Sequence, residues 1–314
     1  MKKILYTLLL VASTSWAGTA QLALESYDNK QVERSIAEFK FLADKGNSRA
    51  QYNLGVIYYE GKGVKEDIPK SIEWFQKSAE KGNSSAMYNL GSLYFNGEKV
   101  KKDDYLAFYW FENAAKAGDN VSQYQLGKMY ANIEQNQKKS FYWIAKAASQ
   151  NLPQAQLALA YFYQNGIVIN KNEERAFYWN EMAASQGVEE AQYNIYLAYF
   201  DGKSVENNRE LAIKWLALAA NKGYPLAQYD MGKAYEKAIT VQQDYKKAAS
   251  WYEKAAKQNN AEAQYDLGIL YSKGLGVPKD YAQAFRWFEK SNANGKKEAQ
   301  ATMNAMESLI NNRK

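Results

Sequence analysis

Ala263–Glu298 reads AQYDLGILYSKGLGVPKDYAQAFRWFEKSNANGKKE, and the same pattern returns each time the chain is moved back by 36 residues. It falls on Ala227–Glu262, Ala191–Leu226 and Ala155–Glu190, then on a shortened copy at Ser122–Gln154, then on Ala86–Val121 and Ala50–Ser85. Seven tandem copies with a period in this range mark a solenoid, in which each unit buries its apolar face only against its neighbours.

Numbering each copy from its first residue, position 5 is Leu54, Leu90, Leu126, Leu159, Ile195, Met231 and Leu267. Position 9 is tyrosine throughout, from Tyr58 to Tyr271. Positions 1, 5, 8 and 9 share one face at the helical period, so positions 1–12 form an amphipathic first helix, A. Position 6 is glycine in five copies and Ala160 in the fourth. A residue without bulk costs helix propensity there, which points to close approach of a second helix. Tyr196 occupies that place in the fifth copy, and its size predicts that the helix pair splays.

Helix A ends at Gly61, Gly97, Gly166, Gly202 and Gly274, where glycine permits a left-handed C-terminal residue. An apolar plug follows, and then an Asp or Asn in every copy, such as Asp67, Asn172 and Asp280. A short side-chain acceptor suits the free amides that open a second helix, B. Catalytic carboxylates are the competing explanation, but interchange with Asn fits capping. Helix B carries one tryptophan per copy (Trp74, Trp110, Trp143, Trp179, Trp215, Trp251 and Trp287), with small residues around it. Large beside small is what interdigitating helices require, so the tryptophans are expected in the core. Gly82, Gly118, Gly187, Gly223 and Gly295, or Asn151 and Asn259, close helix B.

The sequence Ala-x-x-x-Leu-Gly-x-x-Tyr-x-x-Gly, followed by Val, Asp, Ala, Trp, Ala-Ala and Gly, resembles the Sel-one-like repeat, a relative of the tetratricopeptide repeat. The resemblance covers Ala50–Glu298. It implies an all-α fold, a right-handed α-solenoid of antiparallel helix pairs with the A helices on its concave side. It also implies a protein-binding adaptor rather than an enzyme. The departures are Tyr196, the missing glycine loop of the third copy at Ala131–Gln137, and Ala238 in the sixth. Residues 18–49 are expected to form a degenerate capping pair, because Val32–Gly46 overlays Ile68–Gly82 with Phe39 on Phe75. Residues 299–314 are expected to hold a closing A-type helix, since solenoids need end caps.

Residues 1–17 have the pattern of a signal peptide: basic Lys2-Lys3, an apolar Ile4–Ala12, and small residues up to a cleavage site after Ala17. The mature protein is therefore expected in the periplasm, or secreted. Lys2 and Lys3 take two from 40 basic residues, against 34 acidic, and the remaining excess is scattered. That pattern is unlike a nucleic-acid footprint, and no other apolar run reaches membrane-spanning length. The chain has no Cys and no His, which removes thiol nucleophiles, histidine acid–base pairs, disulfides and nearly every zinc site.

No catalytic set, metal site or cofactor is expected, and the expected state is a monomer that binds a protein or peptide. Its groove is expected at positions 3 and 4 of helix A: Tyr52 and Asn53, Tyr88 and Asn89, Tyr124 and Gln125, Tyr193 and Asn194, Tyr229 and Asp230, Tyr265 and Asp266. A ladder of tyrosines and amides can pair with an extended backbone. Packing of the tyrosines between neighbouring A helices is equally compatible with their spacing. Leu157 and Tyr161 interrupt the polar pattern in the fourth copy and suggest an apolar hot spot. Two alternatives stand beside the adaptor: an immunity protein neutralising a secreted effector such as a phospholipase, and a cell-wall or β-lactam hydrolase. Against the hydrolase, the cysteine pairs of the family's penicillin-binding branch are missing, and no Ser-x-x-Lys motif stands in an evident pocket.

Overall fold

The computed structural model describes residues 32–311, so the segment read as a signal peptide lies outside the described residues. Among the described residues there are sixteen helices and no strands, and they fall into two compact units that divide after Ala147. In the first unit, helices of B type are α1 (Val32–Asp44), α3 (Ile68–Glu80), α5 (Asp104–Lys116) and most of α7 (Gln137–Ser149). They alternate with A-type helices α2 (Ser48–Glu60), α4 (Ser84–Asn96) and α6 (Asn120–Asn132). The second unit has A-type helices α8 (Pro153–Asn165), α10 (Glu189–Asp201), α12 (Pro225–Lys237), α14 (Ala261–Lys273) and α16 (Ala299–Asn311). Its B-type helices are α9 (Glu173–Ser185), α11 (Arg209–Asn221), α13 (Tyr245–Ala256) and α15 (Tyr281–Ala293).

The helix boundaries follow the short polar residues and glycines. Each B helix of the seven repeats opens on a capping acceptor: Asp67, for example, accepts from the Lys70 amide at 3.0 Å and Asn136 from the Lys139 amide at 3.1 Å. These carboxylates are occupied as caps. Helix A ends in the left-handed region at the expected glycines. Ala238 keeps that conformation, with φ 55°, without the freedom of glycine.

The centre of each pair is set by the residue after the tryptophan. Phe75, Phe111, Ile144, Asn180, Leu216, Tyr252 and Phe288 are all buried; Phe75, Phe111, Ile144, Tyr252 and Phe288 face the position-6 glycine of their own helix A, and Leu216 shares a cluster with Tyr196. A Cβ placed on Gly55, Gly91 or Gly268 would fall 2.5–2.8 Å from the facing ring, which accounts for the glycine. In the fifth copy the two sizes are exchanged. Tyr196 is only 8% exposed and shares a cluster with Leu216. The expected splaying does not occur, because the smaller Leu216 makes room for the ring.

The tryptophans sit between pairs rather than at their centres. Trp143 is buried and the other six are half-buried. Trp110 of α5, for instance, packs against the Phe75, Ala79, Ala86 and Leu90 cluster of α3 and α4. A second fastener is the glutamine at position 2. Gln51, Gln123, Gln156, Gln192, Gln228 and Gln264 each donate to the carbonyl eight residues earlier, near the C-terminus of the preceding B helix. They satisfy carbonyls that a helix end leaves without partners. At the ends, Phe39 of α1 packs with Leu54 and Tyr58 of α2, and Met303 and Met306 of α16 pack against Phe288 of α15.

Candidate functional site

In the first unit the position-3 tyrosines lean on the buried ring of their own pair: Tyr52 on Phe75 and Tyr88 on Phe111, with centroids 5.8 Å apart in each case. Asn89 approaches the Tyr52 hydroxyl at a long 3.5 Å. The Lys128 ammonium lies over the Tyr124 ring, and Gln125 beside it is half-buried. Asn53 is buried, and its Nδ2 has no hydrogen-bond partner among the described residues.

In the second unit the same positions form bonds between consecutive repeats. The Tyr193 hydroxyl donates to Asp230 at 2.9 Å, and the Tyr229 hydroxyl donates to Asp266 at 3.1 Å. Tyr265 packs on Phe288 at 5.3 Å. Asn194 donates to Asn180 of α9 at 3.0 Å. Burial pushes the Asp230 and Asp266 carboxyls above their ordinary range, against the opposing effect of the tyrosine bonds. Burial, and then the charge of the accepting aspartate, moves the Tyr193 and Tyr229 hydroxyls far up as well. At neutral pH each hydroxyl therefore keeps its proton and donates it. Leu157 takes the tyrosine's place in the fourth copy and packs against the Ala183, Ala184, Ala191 and Ile195 cluster. Tyr161 stands 58% exposed.

Positions 3 and 4 of the second unit thus spend much of their bonding capacity holding neighbouring A helices together. The surface left open is set by positions 7 and 11, where Leu197, Lys233 and Asp201 line two adjoining clefts. One, of about 240 Å³, lies between α9 and α10 and is lined by Asn180, Asn194, Lys171 and Glu173 as well as Leu197 and Asp201. The other, of about 200 Å³, lies between α10, α11 and α12 and shares Leu197 and Asp201 with the first. Its floor is Tyr196 and Leu216, with Phe200, Ile213 and Arg209 at its side. Arg209 follows the cap residue Asn208 and carries no signal of its own in the repeat pattern. Its guanidinium in fact lies 4.0 Å over the Phe200 ring.

Among the described residues, no group of His, Cys, Asp and Glu is placed to hold a metal ion, and no helix is long and apolar enough to cross a membrane. No curated protein matches the chain. Among solved structures, a Sel1 repeat protein from Oxalobacter formigenes is 33% identical, with a TM-score of 0.73 over 92% of this chain and 85% of that one. The antigen c5321 of uropathogenic Escherichia coli, which displays an SLR fold, is 29% identical over 93% of this chain and 79% of its own, with a TM-score of 0.48. Immunity protein Pa5087 from Pseudomonas aeruginosa is 20% identical over 68% of this chain and 84% of its own, and its TM-score of 0.41 is too low to bear on function. The Sel1 repeat model matches seven consecutive segments: residues 48–83, 84–119, 120–152, 153–188, 190–224, 225–260 and 261–296. Seven matched repeats, each a pair of helices and five of them with a glycine at the centre of the pair, make this chain a member of the Sel1 repeat family.

Proposed function

We propose that this chain is an exported protein-interaction scaffold that holds a protein or peptide segment on the A-helix side of its repeats. The observation that carries this is the pair of adjoining clefts in the second unit, continuous through Leu197 and Asp201. Together they offer apolar side chains, amides and charges of both signs, the mixed lining of a surface that binds a chain segment. Each cleft is smaller than the roughly 300–1,000 Å³ typical of small-molecule sites. Tyr161, exposed on the same helix face one repeat earlier, extends the surface. Export rests on the Lys2-Lys3, Ile4–Ala12 and Ala17 pattern and places the partner in the periplasm or outside the cell.

Affinity capture from periplasmic extract, with the wild-type chain beside Leu197→Glu and Tyr161→Asp, tests the proposal. The expected result is one partner retained by the wild type and lost from both variants, with circular dichroism unchanged. Identical recovery by all three would move recognition to the B helices or the loops. Fractionation of cells expressing a tagged chain tests export, and a cytoplasmic, uncleaved product would refute it.

A further inference from the structure

The cleft between α10, α11 and α12 differs from the equivalent place in the other repeats in three ways. Its floor carries the Tyr196 and Leu216 exchange, where most copies have a glycine under a large apolar side chain. Its wall is the loop at Ile239 and Thr240, in which Ala238 (φ 55°) and Thr240 (φ 61°) adopt left-handed conformations. At the place of Thr240 the first and seventh copies have Gly63 and Gly276, also at positive φ but without strain, and the fourth has Val168 at φ 70°; Ala238 is the residue that sets this loop apart, standing where helix A of the first, second, fourth, fifth and seventh copies ends on glycine. Strained residues that add side chains to a cleft wall point to use of that cleft.

The third difference is charge. Asp230 is occupied by Tyr193 at 2.9 Å and lies 3.8 Å from Lys233, and Asp201 lies 3.7 Å from Lys203. Arg209 is exposed at the rim, stacked on Phe200, and no carboxylate of the described residues reaches it within ion-pair distance. One cation is therefore left over at the rim of an apolar hole.

We infer that this cleft takes an aliphatic side chain of an extended protein segment, with an adjacent Asp or Glu of that segment bound by Arg209. The inference rests on the scaffold reading and names the chemistry of its partner. Leu197, Ile213 and Ala234 supply apolar contact, in a volume suited to one side chain. The planar guanidinium pairs with carboxylate in a two-pronged geometry and is weakly hydrated. Its stacking on Phe200 orients it in advance, so little freedom is lost on binding. A basic residue beside the aliphatic one is rejected by like charge. The adjoining cleft beyond Leu197 then receives a second side chain, as an extended strand presents alternate residues to one side.

The test is a phage-displayed library of random linear peptides panned on the full-length chain and on Arg209→Glu in parallel. Arg209 is the first residue of α11 and is exposed, and an acidic side chain is favourable at a helix N-terminus, so the fold is not at risk. Peptides retained by the wild type are expected to share an aliphatic–acidic pair and to lose about tenfold or more in affinity on Arg209→Glu. Changing the peptide's acid to Lys is expected to restore binding to that variant. Peptides retained equally by both chains, without rescue, would overturn the cleft while leaving the scaffold proposal standing. A library from which nothing is retained removes both.

Discussion

Replacing Gly91 with alanine sets two known effects against each other within one helix pair. Gly91 lies in the interior of α4, where exchange for Ala ordinarily gains about 1 kcal/mol of helix propensity. Here the new Cβ would fall 2.8, 2.9 and 3.0 Å from three carbons of the Phe111 ring. That ring cannot step aside: Tyr88 stands 5.8 Å and Phe95 6.3 Å from its centroid, and Phe111 is 2% exposed. Overpacking of a closed core costs about 1–3 kcal/mol, and with three ring carbons within 3.0 Å the upper half of that range applies, so a net loss of about 1–2 kcal/mol remains after the propensity gain of about 1 kcal/mol. Urea unfolding should show a lower midpoint at unchanged slope, and hydrogen exchange should place the loss in α4 and α5. Adding Phe111→Leu, which imitates the Tyr196 and Leu216 arrangement, should recover part of it, a coupling of about 1–2 kcal/mol between the two sites. A stabilised Gly91→Ala chain, or strictly additive losses in the double variant, would refute the volume-exchange account.

Val168 is β-branched, 43% exposed and held at φ 70°, so Val168→Gly should raise stability by about 1 kcal/mol, read as a higher melting temperature; a lower one would deny the strain. Gln264→Ala removes a buried side chain that donates to the Ala256 carbonyl at 2.9 Å and accepts from Asn294 at 2.9 Å, and should cost about 1–3 kcal/mol in urea unfolding. The raised carboxyl of Asp230 contributes stability that is fully present below its unfolded value and lost as pH rises through its higher folded value. Asp230→Asn should therefore flatten the fall in stability just above the ordinary carboxylate range, and an unchanged pH profile would show the carboxyl to be unperturbed.

Much of the fold was legible because the repeat exposes local rules seven times over. Asp67 and its equivalents announce a helix start, and Gly61 and its equivalents announce a stop, through backbone chemistry that needs no partner. The residue facing position 6 was not legible. Phe75, Ile144, Tyr252 and Leu216 share no residue type, since only the summed volume across the pair is constrained. Tryptophan is the most regular residue of helix B, yet its size places it at the seams between pairs, where all but Trp143 stay partly exposed. The glutamine at position 2 recurs in six copies and was a visible signal, but a polar residue next to the apolar stripe reads as surface until the preceding helix end is seen beside it. The Tyr193–Asp230 and Tyr229–Asp266 bonds join residues 37 apart and exist only because adjacent A helices stack. For the same reason the clefts around Leu197 were invisible in sequence, where position 7 holds Tyr161, Leu197, Lys233 and Ile269 without a common chemistry.

Recognition on the A-helix side of the second unit is the central claim, and site-specific photo-cross-linking tests it most directly. A photoreactive amino acid replaces Leu197 or Lys233 on that side in two chains, and exposed Tyr109 or Tyr142 on the B helices of the first unit in two others. Each is irradiated in periplasmic extract. A single partner cross-linked from positions 197 and 233, and from neither 109 nor 142, is the predicted result. Cross-links confined to 109 or 142 would contradict it and assign binding to the exposed tyrosines of the B helices.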